Sequence, residues 1–136
     1  MSANITITPI NLNGKIPKNS KSMKARKDYV REQENIKNGI NAKWDDSSYN
    51  KSCVGDYFAF VRQTEDIVEI FRIEKILNAE DRPDYWDMPE HQRRNVLCLS
   101  KMIKDNISWM EFKNLIGYKE NYLLRGTSRS KNKLTL

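Results

Sequence analysis

The sequence has little of what most catalytic and metal chemistry is built from. It holds one histidine, His91, and two cysteines, Cys53 and Cys98. Two thiols are too few for a disulfide framework or a four-thiolate zinc site. Each sits beside strand-like apolar sequence, which predicts buried free thiols, with a bridge between them as the alternative. His91 stands in the polar run Glu90-His91-Gln92-Arg93, with no Cys or His at ligand spacing, and reads as a surface residue. Neither a phosphate-cradling G-x-x-x-x-G-K-[ST] loop nor G-x-G-x-x-G occurs, and no nucleophile-elbow pattern precedes a serine. The carboxylates Asp45/Asp46, Glu65/Asp66 and Glu80/Asp81 come in adjacent pairs, a spacing that suits solvated turns better than acid/base couples. The expectation is a protein that is not an enzyme and carries no metal or cofactor. No apolar run approaches the ~18 residues of a membrane helix, so no membrane partner is expected. Met1-Ser2-Ala3-Asn4 lacks the basic and apolar regions of a signal peptide, which points to an intracellular protein, cytoplasmic or nuclear.

What is present is charge, unevenly placed. The 136 residues are 38% hydrophobic and 31% charged, enough for one domain with a true core. Residues 1–43 carry nine Lys/Arg against three Asp/Glu, residues 44–117 ten against fourteen, and residues 118–136 five against one. An acidic-leaning centre is thus flanked by basic ends, a pattern that suits arms seeking phosphate. Candidate phosphate contacts are Lys21, Lys24, Arg26 and Lys27 at one end and Arg125 and Arg129 at the other. Solvated tails that keep the protein soluble are the plainer reading.

Along the chain, Ile5-Thr6-Ile7-Thr8-Pro9-Ile10 predicts a short strand, with Pro9 at an edge or end. Ser22 to Asn38 predicts a helix with one Lys/Arg-rich face, closed by Gly39. Asn41 to Cys53 reads as a polar connection. Gly55-Asp56 opens Tyr57-Phe58-Ala59-Phe60-Val61, apolar on both faces as a central strand is. Ile67 to Leu77 fits either a helical stripe or a strand. Its β-branched content favours a bent strand, with a bulge where the apolar phase moves from Val68/Ile70 to Phe71/Ile73. Pro89 to Arg94 predicts a short helix, and Val96 to Leu99 a compact strand. Ser108 and Glu111 form a capping box, Ile107 and Phe112 its hydrophobic staple, and Gly117 ends that helix. Residues 1–124 are read as the folded domain and residues 125–136 as a basic, flexible tail.

The tryptophans carry the functional signal. Trp109 begins a capped helix and reads as core. Trp44 and Trp86 lie among polar residues, accompanied by Tyr49 and Tyr85. An aromatic wall beside Asp, Ser and Asn groups is what a base-binding pocket requires, because the ring stacks on the base and polar groups read its edge. The alternative is a pair of lids closing a small barrel.

A helix is followed by Trp44-x-x-x-x-Tyr49, then by Val54-Gly55-Asp56-Tyr57-Phe58-Ala59-Phe60. Next come a β-branched strand from Ile67 to Ile76, a Trp-bearing excursion from Arg82 to Trp86, and Val96 to Leu99. In this order the chain resembles the EVE-type branch of the PUA-like superfamily, distantly related to YTH domains, over roughly residues 40–100. The resemblance implies an α+β fold: a small, mixed, partly open β-barrel with two or three flanking helices. It also implies a pocket for an unpaired or modified base. Trp44 and Trp86 would be its walls beside Tyr49, Asp45, Ser47, Ser48 and Asp84 its edge readers, and Arg82 a phosphate or base contact.

The expected function is therefore a non-catalytic nucleic-acid-binding module with DNA or RNA as partner. The alternative is a protein-interaction or inhibitor domain that uses the acidic centre and exposed aromatics.

Overall fold

The structure is a computed structural model that describes residues 2–12, 20–46, 48, 50–88 and 93–136, with only the backbone described for 20–22. His91 and most of the expected Pro89–Arg94 helix lie outside the described residues. The elements run β1 (Ser2–Ala3), β2 (Ile5–Pro9), α1 (Ser20–Lys37), β3 (Lys43–Asp45), β4 (Tyr57–Arg62) and β5 (Ile67–Leu77). A 3-10 turn follows at Ala79–Asp81, then β6 (Val96–Leu99), β7 (Lys104–Ile107), α2 (Trp109–Leu115), β8 (Ser128–Arg129) and β9 (Leu134–Thr135). Among the described residues the fold is α+β, two α-helices with a curled, half-barrel mixed sheet.

The sheet order is β3-β6-β5-β4-β2-β8, with β7 also on β5. β2 and β4 are parallel, and α1 lies in the connection between them. The other pairings in this sheet are antiparallel. β4 takes one edge of β5, while β6 and β7 lie end to end along the other. Between them the segment Ser100–Ile103 departs from the ladder, holding on through Ser100 N–H to Arg72 O (2.8 Å) and Ile103 N–H to Ile70 O (2.8 Å).

Strand alternation sorts the apolar residues into two cores, one on each face of the sheet. Phe58 and Phe60 of β4 join Tyr29 of α1, Trp44, Phe71, Ile73 and Trp86 in the first. Tyr57, Ala59 and Val61 join Ile5, Ile7, Val68, Ile70 and, from α2, Phe112 in the second. This settles the ambiguous segment. Ile67–Leu77 is a strand, and its apolar phase changes because both faces are buried: Val68 and Ile70 serve one core, Phe71 and Ile73 the other. The register shifts come on either side of that change, between Val68 and Ile70 against β7 and between Ile73 and Lys75 against β6.

α2 begins as its sequence dictates. Ser108 Oγ accepts from Glu111 N–H (3.0 Å), and Ile107 and Phe112 share the second core. Gly117 follows the helix with φ +72, where a Cβ would stand 2.9 Å from Asn132 Nδ2. The chain beyond Leu124 does not run free as expected. β8 pairs with β2 and β9 with β1, and Leu134 is completely buried. Each of these strands is two residues long, so its stability comes from its partner rather than its own sequence. The cysteines also depart from expectation: both are free, but Cys53 is exposed and Cys98 only half-buried.

Candidate nucleic-acid interface

Trp44 and Trp86 are core residues, 3% and 1% exposed. Trp44 meets Phe60 edge-to-face at 4.8 Å and Trp86 at 5.9 Å. The remaining surface of Trp86 is covered from α1, with Lys24 Nζ 4.9 Å and the Arg31 guanidinium 4.7 Å from its ring centre. These cations are themselves held by carboxylates. Lys24 lies 2.5 Å from Asp28 and 3.5 Å from Asp45, and Arg31 lies 3.1 Å from Asp28 and 3.0 Å from Glu32. Burial pushes the Asp45 carboxyl up, with Lys24 opposing it. Both tryptophans close the end of the first core, and neither offers an open face on which a base could stack.

Asp46 corrects the expectation of a solvated acidic pair. It is fully buried and accepts from Ser48 N–H (3.2 Å), Ser48 Oγ (2.5 Å), Ser52 N–H (3.1 Å) and Ser52 Oγ (3.1 Å). Ser52 Oγ also meets Thr6 Oγ1 at 2.9 Å, tying this loop to β2. Asp46 and Ser48 thus build the loop. Its sequence signal is local: Asp followed by Ser at i+2 and i+6, the kind of side-chain-to-backbone turn that Asp forms readily. Ser47 and Tyr49 lie outside the described residues. Arg82 donates to Trp86 O (3.1 Å) and Ala79 O (2.8 Å), which fastens its own loop, whereas Asp84 and Tyr85 are exposed.

The residues expected to hold phosphate divide. Lys24 is in the ion pairs above, Arg129 pairs with Asp56 at 3.1 Å, and Arg26 Nε donates to Asn11 O at 3.0 Å. Lys27 and Arg125 are exposed. Lys21 has only its backbone described.

A cationic surface that the sequence did not announce lies on the sheet. Lys43 of β3 and Lys75 of β5 are both register partners of Cys98 on β6. Alternation puts this row on the face opposite Trp44, Leu97 and Leu99. Arg72 lies on the same face, over Tyr57, with Nη2 2.8 Å from the Tyr57 hydroxyl and Nη1 3.1 Å from Gly55 O. Among the described residues, Lys43, Lys75, Lys101 and Lys104 form no ion pair. Burial pushes the Cys98 thiol up; Lys43 and Lys75 pull it down and Glu74 adds to the rise. Beside the row, where β6 gives way to β7, an open depression of about 660 Å³ is lined by Asn41, Val54, Glu74, Ser100, Lys101 and Ile103, among others. The row exists only once three strands have paired, so no local pattern could reveal it.

Among the described residues no group of three or more His, Cys, Asp or Glu is placed to hold a metal ion, and no helix is long and apolar enough to cross a membrane. No family model, curated protein or solved structure matches the chain.

Proposed function

We propose that the chain is a non-catalytic, intracellular nucleic-acid-binding module built on a small curled barrel of the PUA-like kind that residues 40–100 resemble. The observation that supports this reading is where the negative charge goes. Asp46 and Glu69 are buried and held by neutral donors, serines in one case and Tyr29 and Gln33 in the other. Asp46 takes its charge into the interior without pairing a cation, and Glu69 faces only Arg62, so neither carboxylate offsets the lysines of the sheet face. Lys43 and Lys75 stand on that surface without ion pairs among the described residues. Polyanion binding of this kind is electrostatic and therefore salt-dependent. The buried tryptophans give no stacking, so contacts come from the sheet face and from Lys27 and Arg125.

The test is fluorescence anisotropy with labelled single- and double-stranded DNA and RNA at two salt concentrations. The reading expects affinity that falls steeply with salt and tryptophan emission that oligonucleotide leaves unchanged. Lys43→Ala/Lys75→Ala should flatten the salt slope by roughly 1.4 for a single strand, about 0.7 per lost contact. Absence of binding to every oligonucleotide at low salt rejects it. A protein partner is then favoured by the exposed apolar side chains of Met110 and Leu115 on α2 and of Leu123 after it, the last at 65% exposure.

A further inference from the structure

We infer that the depression between Val54 and Ile103 seats an unpaired base of a single strand whose phosphates pass over Lys101, Lys75 and Lys43. This rests on the nucleic-acid reading above and names the ligand of that same surface. The depression is a product of the topology. β5 pairs with β4 without a break from Ile67 to Arg72, but its partner on the other edge is broken between Leu99 and Lys104, and the break opens a concavity on the sheet. Val54 and Ile103, 62% and 46% exposed, present aliphatic groups to solvent there. A flat, weakly polar surface laid across them removes both from water. A nucleobase is such a surface, and it comes attached to the charge that the adjoining lysines lack.

The polar lining fits the edge of a base as well as its face. Ser100 Oγ is already engaged, accepting from Arg72 N–H at 2.9 Å and donating to Lys101 O at 2.6 Å. The exposed Asn41 amide supplies both a donor and an acceptor, and Glu74 supplies an acceptor for a ring N–H such as N3–H of thymine or uracil. Lys101 and Arg72 are part of the lining, and Lys75 and Lys43 flank Cys98 on the same face of the sheet. A duplex keeps its base faces stacked inside and presents phosphates outside. It reaches the lysines and leaves the concavity empty.

The experiment compares three labelled probes of equal length: oligothymidine, the same strand made of abasic residues, and a duplex; oligouridine runs in parallel to separate RNA from DNA. The expected order is base-bearing single strand tightest, with the abasic strand weaker by about fivefold, the effect of removing roughly 40 Å² of apolar surface from water. Val54→Ser/Ile103→Ser, exposed positions whose change leaves the core intact, removes that difference and leaves abasic binding as it was; Asn41→Ala gives a second, independent variant. Equal affinity for abasic and base-bearing strands overturns the base seat while the nucleic-acid reading stands, as does a duplex bound as tightly as the single strand. A base preference that survives Val54→Ser/Ile103→Ser overturns it too. Failure of all probes to bind at low salt removes both readings together.

Discussion

Tyr29 on α1 donates its phenolic hydrogen to the Glu69 carboxylate on β5, and this bond, with Gln33 Nε2 3.2 Å from the same oxygen, joins the long helix to the sheet. Both residues are buried, at 2% and 7% exposure. Burial, reinforced by the neighbouring carboxylate, pushes the Tyr29 hydroxyl well above its ordinary range. Burial likewise raises the Glu69 carboxyl, against the pull of the Tyr29 hydrogen bond and Arg62.

That rise has a definite sign. A carboxyl that binds its proton more tightly in the folded state contributes stability below its unfolded value and loses it as pH rises through its folded value. Acidification from neutral through the raised range of Glu69 therefore stabilises the fold. Glu69→Gln, which keeps the oxygen that accepts from Tyr29, reduces that slope; Asp45, raised in the same direction, maintains the remainder. Urea midpoints of the two proteins across the acidic range measure the difference, and parallel curves refute it. Tyr29→Phe leaves Glu69 short of a donor and costs about 1–3 kcal/mol.

Asp46 holds its loop through four donors, two of them backbone N–H groups of buried residues. Asp46→Ala strands those donors and is expected to cost about 3 kcal/mol, read as a shift in denaturant midpoint. A loss of only a few tenths of a kcal/mol, as for an ordinary surface carboxylate, contradicts the assigned role.

The two thiols differ in reactivity. Cys53 is exposed, whereas Cys98 is half-buried with its thiol held up by burial. The thiolate is the reactive form. A limiting dose of alkylating reagent at neutral pH is expected to modify Cys53 first, as mass spectrometry of the digest reports. Equal modification of both contradicts a Cys98 thiol raised by burial.

Removal of residues 125–136 tests the C-terminal strands. It takes away the β8 and β9 pairings and the buried Leu134 side chain. Burial of one leucine is worth about 1.5–3 kcal/mol, so the shortened chain unfolds at clearly lower denaturant. An unchanged midpoint returns the segment to the status of a free tail.

Local chemistry was readable where a signal is local. Ser108, Glu111 and Gly117 specify the start and end of α2 within ten residues of sequence, and the β-branched run from Ile67 marks β5. What escaped depends on distant partners. Lys43–Asp45 is a strand because β6 accepts it, and Lys104–Ile107 is one because β5 does; neither has an apolar alternation of its own. The tryptophans misled for a related reason. Trp44 alternates with Asp45 along β3, and Asp84 is exposed two residues from the buried Trp86, so polarity along the sequence says nothing about what surrounds the indole. Lys24 and Arg31, which complete the cover of Trp86, come from a helix more than fifty residues earlier.

The pairing of Ser2 with Thr135 and Ala3 with Leu134 has a mechanical side. β1 and β9 are antiparallel, so a force drawing the two ends apart acts across their ladder and breaks it one residue pair at a time, as a zip opens. β2 and β4 are parallel and share five register pairs in the middle of the sheet. Sliding one past the other loads those bonds together. Tension at the ends therefore peels β9, with Leu134 of the second core, and then β8 from the molecule before the β2–β4–β5 centre yields.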